Sequence, residues 1–326
     1  MTLLDVRDLR THLTTRWGLV RAVDGVSFTL AEGETLGLVG ESGSGKTMTA
    51  LSVLRLLPPE TGRVVGGQIL LDGEDLLGKS EREMRRIRGR RISMILQDPQ
   101  TSLNPVFTAG AQLVEALRLL PVAGGPGLWQ RAEDALRRVR VSAPAQRLRD
   151  FPHQMSGGMK QRVVGAIALA GEPRVLIADE PTTALDATIQ LQYLTLLKEI
   201  QERTRLAMLF ITHDFGIVAR MCDRVAVMYA GRIVESGPVR DIFRAPRHPY
   251  TQALMASVPR MDAGMERLPS IDGQPPALHR LPEGCRFAPR CSYTDDRCRR
   301  DYPPTFAVGP AHAAACWRVE PSPPSR

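Results

Sequence analysis

No uninterrupted apolar run in this chain approaches the roughly 18 to 20 residues needed to cross a bilayer. The longest candidate, Val163 to Ala170, is far shorter. The start also lacks the apolar core of an export signal, because Asp5, Arg7, Asp8 and Arg10 interrupt the first apolar residues. These two absences predict a soluble, cytoplasmic chain that reaches any membrane only through a partner. Cysteine is nearly missing before residue 285, where Cys222 stands alone in the apolar run MCDRVAVM and reads as a buried small hydrophobe. Cys285, Cys291, Cys298 and Cys316 crowd the C-terminal end instead, and in a reducing cytosol such a group argues for a metal centre before disulfides. There is no internal repeat and no N-K-x-D guanine motif.

What is present is a chain of 326 residues, 43% hydrophobic, which suffices for one large core and a smaller appended unit. Its 43 Lys and Arg against 35 Asp and Glu give a formal charge of +8, which suits nucleotides, lipid headgroups or nucleic acid without choosing among them. The runs TLLDVRDL, GVSFTL and ETLGLVG read as strands, the last ending at a glycine-rich loop. KTMTALSVLRLL then carries a helical apolar stripe as far as Pro58 and Pro59. The charged run SEREMRRIRGRR reads as a solvated helix or loop edge, and RRISMILQDP as a buried strand. AQLVEALRLL and WQRAEDALRRVR are amphipathic helices separated by the breaker PVAGGPG, a helical insertion at about residues 98–158. Alternation of strands and helices resumes from RVLIADE to RIVESG, predicting an α/β fold with a largely parallel sheet. Residues 1–245 are expected to form this part. From 246 to 326 prolines accumulate in a loop-rich extension whose end, PSPPSR, reads as disordered.

Gly40, Glu41, Ser42, Gly43, Ser44, Gly45, Lys46 and Thr47 fit G-x-x-x-x-G-K-[ST] between a strand and a helix. Glycines let successive N–H groups converge on phosphate oxygens, and the helix adds its positive end. Lys46 would reach the β- and γ-phosphates, and the Thr47 hydroxyl would bind Mg²⁺. A metal carboxylate is needed at the end of a buried strand; VLIADE supplies Asp179, with Glu180 beside it to polarise the attacking water. A paired acid before a proline can also cap a helix, but the apolar run before this one favours the metal. MSGGMKQR places Ser156, Gly157 and Gly158 at a second helix start, a second phosphate site in a chain with one triphosphate to bind. It makes sense only if it serves nucleotide held by another copy or relative.

That run resembles the signature motif of ATP-binding cassette proteins, with Met159 where the family more often has glutamine, a methionine that many peptide-importer relatives share. The resemblance implies a RecA-like P-loop NTPase fold, an ABC nucleotide-binding domain with a helical subdomain, and ATPase activity. It also gives roles to further residues. Gln97, after ISMIL, matches the glutamine-loop residue that touches Mg²⁺ or water and carries motion to the membrane subunit. His213 in FITHD matches the switch histidine, and Asp186 in TALD the loop residue exchanged across the dimer. A lone histidine at a strand end is usually structural, but the order of motifs around it reverses that reading. Trp17 lies about where the family places an adenine-stacking aromatic, and a core or surface tryptophan is the alternative.

HPYTQALMASVP, GQPP and GCRFAPRC resemble the C-terminal extension of ATPase subunits of oligopeptide, dipeptide and nickel importers. This implies peptide import, a second ATPase subunit that is a paralogue, and two transmembrane permease subunits. It further implies an extracytoplasmic solute-binding protein acting indirectly, a place on the cytoplasmic face of the cell membrane, and no nucleic-acid partner. The cysteine spacing is wider than that of structural zinc knuckles. Some members of the group carry an iron–sulfur cluster at such cysteines, and Arg286, Arg290, Arg297, Arg299 and Arg300 would stabilise a [4Fe–4S] centre; zinc and reduced thiols are the alternatives. A soluble cassette ATPase acting on nucleic acid remains the main rival, favoured by the basic balance. A P-loop kinase or GTPase leaves the signature run unexplained.

Overall fold

Strand Thr35–Val39, buried throughout, leads into the glycine-rich loop and pairs in parallel with Arg224–Tyr229, Leu36 opposite Arg224 and Val39 opposite Val227. Strands covered on both faces are apolar continuously rather than in alternation, as ETLGLV and RVAVMY are. These strands belong to a computed structural model that describes residues 2–120, 127–183, 185–257 and 271–320. The breaker at 121–126 and the tail at 321–326 lie outside the described residues. The chain divides into two units, one of Asp5–Thr29, Thr35–Leu77 and Ile211–Arg326, the other of Met1–Leu4, Leu30–Glu34 and Gly78–Phe210.

In the first unit, Arg224–Tyr229 turns at Gly231 into the antiparallel strand Arg232–Pro238, with a bulge between Ile233 and Glu235. The proline-rich extension then adds two short strands: Ala313–Ala314 pairs with that strand, Ala314 opposite Glu235, and Phe306–Ala307 pairs with Ala313–Ala314. A second sheet runs in the order Gly18–Ala31, Thr2–Thr15, Gly62–Leu71 and Glu74–Asp75. The helix after the loop, Lys46–Leu54, stops short of the prolines. Arg55 adopts a left-handed conformation, and the N–H groups of Arg55 and Leu56 bond back to the carbonyls of Ser52 and Leu51 at 3.0 and 2.8 Å, closing the last turn. The apolar stripe alone gives no sign of that closure.

In the second unit, Ile92–Ile95 and Val175–Asp179 pair in parallel, Ile92 opposite Val175 and Ile95 opposite Ala178. The charged run before them is the helix Glu81–Ile87, started by a capping box in which Ser80 and Glu83 satisfy each other's backbone N–H. The two amphipathic segments are the helices Ala109–Arg118 and Leu128–Arg138, the first capped by Thr108 and the second burying Ala132 and Leu136. Helices Gly157–Leu169 and Ala187–Thr204 complete the unit.

Gly110 shows how tightly this helical part is set. Its N–H donates to the Leu148 carbonyl at 2.8 Å, and a Cβ at this position would lie 2.6 Å from the same oxygen and against the Trp129 ring. Alanine would gain about 1 kcal/mol of helix propensity, whereas over-packing against backbone costs about 1–3 kcal/mol. Gly110→Ala should therefore destabilise by up to about 2 kcal/mol, read as an earlier urea midpoint; a later midpoint would refute the close approach.

Candidate functional site

The phosphate loop lies in the first unit. Gly40 and Gly45 have φ of 156° and 106°, and a Cβ on either would run into a backbone carbonyl, Met228 for Gly40 and Ala22 for Gly45. Only glycine lets the loop pack this close. Lys46 is 5% exposed, and its Nζ donates to the carbonyls of Gly40 at 2.7 Å and Glu41 at 3.0 Å. The ammonium thus folds back over its own loop. Thr47 sits half-buried in the first turn of a helix with no side-chain cap and no acidic residue there, so its positive end is unopposed by any carboxylate of that turn. Ser42 and Gly43 are exposed in the loop.

Two contacts on this loop were not anticipated. The Glu41 N–H donates to the Tyr250 hydroxyl at 2.9 Å, and the Glu41 carboxylate receives both arms of Arg290 at 2.7 and 3.1 Å. In the same unit His213 is exposed at the end of strand Ala207–Thr212, just before Asp214, which caps the helix Phe215–Met221. Trp17 is 67% exposed in the turn between two strands, with the Arg16 guanidinium 4.5 Å from its ring centre. A surface aromatic free to stack is what an adenine platform needs.

The second unit holds the other residues. Asp179 ends a fully buried strand and is 1% exposed. Glu180 follows with φ of 44°, a left-handed conformation that costs about 1 kcal/mol in a non-glycine residue. That turn points its carboxylate back, where Oε2 accepts from Gln97 Nε2 at 3.1 Å and Thr183 Oγ1 at 3.0 Å. Gln97 and Glu180, far apart in sequence, therefore meet. Ser156 caps the helix Gly157–Leu169, accepting from the Met159 N–H, and no acidic residue occupies its first turn. Asp186 caps Ala187–Thr204 through the N–H groups of Thr188 and Ile189 at 3.1 and 3.0 Å. The two helix starts touch: a Cβ on Gly158 would lie 2.7 Å from Ile189 Cγ2. Ser156, Gly157, Gly158 and Asp186 thus form one surface element.

The cysteines turn out differently. Cys285, Cys291, Cys298 and Cys316 do line one cavity, but its volume of about 20 Å³ is room for about one water. All are free thiols, and among the described residues no group of three or more His, Cys, Asp or Glu side chains is arranged to hold a metal. Burial pushes the Cys285 thiol up to about 11 and raises Cys298 and Cys316 as well, favouring the protonated form. The arginines expected to support a cluster are engaged elsewhere: Arg286 with Asp24, Arg290 with Glu41, Arg297 with Glu320 and Arg299 with Asp296. The expectation of a [4Fe–4S] or zinc centre finds no support among the described residues.

Comparison with known proteins agrees with the phosphate-loop geometry. Residues 23–183 match the family described as ABC transporter, and residues 234–298 match the oligopeptide/dipeptide transporter C-terminal region. A probable peptide ABC transporter ATP-binding protein of Sinorhizobium fredii is 52% identical over 317 residues, covering 97% of this chain and 95% of that one. A dipeptide transport ATP-binding protein of Bacillus subtilis is 50% identical over 314 residues, covering 96% and 94%. Among solved structures, a dimeric ATP-binding cassette in a post-hydrolysis state with ADP and Pi superposes with a TM-score of 0.65 at 26% identity, covering 73% of this chain and 99% of that one. With a phosphate loop, a buried strand ending in Asp179 and Glu180, and relatives matching along nearly its whole length, the chain belongs to the ABC transporter family as an ATP-binding ATPase subunit.

Proposed function

We propose that this chain drives the import of oligopeptides or dipeptides by hydrolysing ATP in a closed pair of cassettes. The observation that carries the reading is the presence of two helix starts built for anions. Lys46–Leu54 and Gly157–Leu169 each begin beside glycines and carry no acid in the first turn. One chain binds one triphosphate at Lys46, so Ser156, Gly157 and Gly158 serve the nucleotide of a second cassette, a paralogue, and Asp186 lies at the same seam. The peptide assignment rests on relatives named for peptide and dipeptide transport at 52% and 50% identity. In this reading residues 1–245 are the cassette, with its helical part at about 98–158, and residues 246–326 the transporter-specific extension.

Chemically, Lys46 balances charge on the β- and γ-phosphates while Trp17 stacks the adenine. The Thr47 hydroxyl and Asp179 carboxylate are hard oxygen donors of the kind Mg²⁺ takes, with Gln97 as a further one. Bound there, Mg²⁺ would supply positive charge to the phosphate oxygens. Glu180, held by Gln97 and Thr183, accepts a proton from the attacking water, and His213 orients the γ-phosphate. Loss of the γ-phosphate removes what the two cassettes share, and the pair reopens.

Among the described residues no helix is long and apolar enough to cross a membrane. In this reading two permease subunits attach the chain to the cytoplasmic face of the membrane, and the solute-binding protein is reached only through them. The surface offered to a permease is a groove of about 270 Å³ beside the Gln97 segment, with Met94, Leu96, Leu119 and Ile167 in its lining. Leu96 and Leu119 of its lining are exposed, as apolar residues at a docking surface are.

Two outcomes follow. Glu180→Gln should lower kcat by about 10²- to 10⁴-fold while ATP still binds, and unchanged steady-state ATPase activity would sink the assignment. Leu119→Asp should cost at least about tenfold in co-purification of two polytopic membrane proteins from detergent-solubilised membranes. Recovery of bound nucleic acid in place of those proteins would favour the rival reading.

A further inference from the structure

We infer that the C-terminal extension holds the phosphate loop in its working shape, with Arg290 and Tyr250 as positioning residues of the ATP site. The inference rests on the reading of Gly40 to Thr47 as that site and concerns contacts within the first unit alone.

Arg290 is 3% exposed, and every one of the five N–H donors of a guanidinium is met. Nη1 donates to Glu41 Oε2 at 2.7 Å and to the Tyr229 hydroxyl at 3.3 Å; Nη2 donates to Glu41 Oε1 at 3.1 Å and to the Ile271 carbonyl at 3.2 Å; Nε donates to the Asp272 carbonyl at 2.9 Å. A fork so fully used fixes the Glu41 carboxylate in position and plane, which a lysine's point charge does not. Glu41 is the second residue of the phosphate loop, and its carbonyl is one of the two that hold the Lys46 ammonium. The tie therefore runs from the extension through Glu41 to the side chain that meets the phosphates.

Tyr250 fixes the same residue from the backbone side. Fully buried, it packs 4.5 Å from Tyr229 and 5.4 Å from Phe287 between ring centres, and its hydroxyl accepts the Glu41 N–H. Its own N–H is taken by Nδ1 of His248, whose pKa burial lowers to about 3, so that the ring is a neutral acceptor at physiological pH. The backbone N–H groups of Arg247 and His248 in turn bond the Glu235 carboxylate at 2.7 and 2.9 Å, anchoring the helix Pro249–Ala256 to the sheet.

A second arm braces the far side of the loop. Arg286 donates to the Ala230 carbonyl and to Asp24, while the next residue, Gly231, donates its N–H to the Ser44 carbonyl at 2.8 Å. The segment from Cys285 to Cys291 thus carries two arginines that reach the loop at Glu41 and, through Ala230 and Gly231, at Ser44.

The experiment uses the full-length chain in the assembled transporter, measuring phosphate release against ATP concentration, together with the melting midpoint. Arg290→Lys keeps the charge and loses the fork; Tyr250→Phe keeps the packing and loses only the acceptor oxygen. Each should raise the KM for ATP by about 5- to 10-fold with kcat within about twofold, the pattern of lost ground-state positioning, and Tyr250→Phe should lower the midpoint by no more than about 2–4 °C. Glu41→Gln combined with Arg290→Lys should raise KM no further than the larger single effect, since the two act as one unit. A KM within about twofold of the parent in Tyr250→Phe, or a fall in kcat at unchanged KM, would overturn the inference. Should Arg290→Lys fail to fold, Tyr250→Phe alone decides. A parent transporter without ATPase activity would instead remove the underlying functional reading.

Discussion

A buried ammonium sets the terms for the nucleotide site. Taking a charge out of water costs several kcal/mol unless its donors are met by fixed acceptors, and Lys46, 5% exposed, meets carbonyls of its own loop. Those carbonyls face it only because the loop is curled, and the loop curls only because Gly40 and Gly45 accept backbone contacts that any Cβ would forbid. The loop therefore has a demanding shape and few apolar contacts of its own. Such a segment does not hold itself; its surroundings must.

The surroundings divide the work by chemistry. The parallel strands Thr35–Val39 and Arg224–Tyr229 supply rigidity through burial, delivering the loop at a sheet end where polar groups can emerge from an apolar floor. In the second unit the same device delivers Asp179 and Glu180 at the end of Val175–Asp179. There the left-handed turn at Glu180 stores a small strain and converts adjacency in sequence into divergence in space, Asp179 remaining in the core while Glu180 turns to Gln97. Strain at a carboxylate of this kind persists because the buried strand before it and the Thr183 contact after it leave no other course.

Legibility in the sequence followed the range of the interaction. The phosphate loop, the apolar strand before Asp179 and the small-residue helix start at Ser156 are local patterns, and each lies in the element that its pattern predicts. Gln97 and His213 were legible only through resemblance, since a glutamine or histidine after a strand has no physical signature of its own. The end of Lys46–Leu54 was missed because a left-handed Arg55 leaves no compositional mark, unlike a glycine or proline. Arg290 was noticed but given the wrong partner: its neighbours in sequence are cysteines, and its neighbour in space is a glutamate 249 positions away. Proximity along the chain suggested a cluster ligand sphere where folding made a tether.

The partners of these arginines bear on the cysteines as well. An arginine-rich, cysteine-rich segment is attractive as a metal site because cations would stabilise thiolates. Arg286 and Arg290 are drawn off to Asp24 and Glu41, while the cavity that the thiols line also has Phe287, Trp317, His248 and Arg318 in its walls, and burial raises Cys285, Cys298 and Cys316. A buried thiol packs as a small hydrophobe, and Arg286 and Arg290 lie in the segment between Cys285 and Cys291. The extension's proline-bent loops gain rigidity by pairing Ala313–Ala314 with the edge of Arg232–Pro238 and by packing Phe287 edge-on against Tyr229 and tilted against Tyr250. Through Arg290 at Glu41, and through Arg286, Ala230 and Gly231 at Ser44, the extension is tied to the phosphate loop.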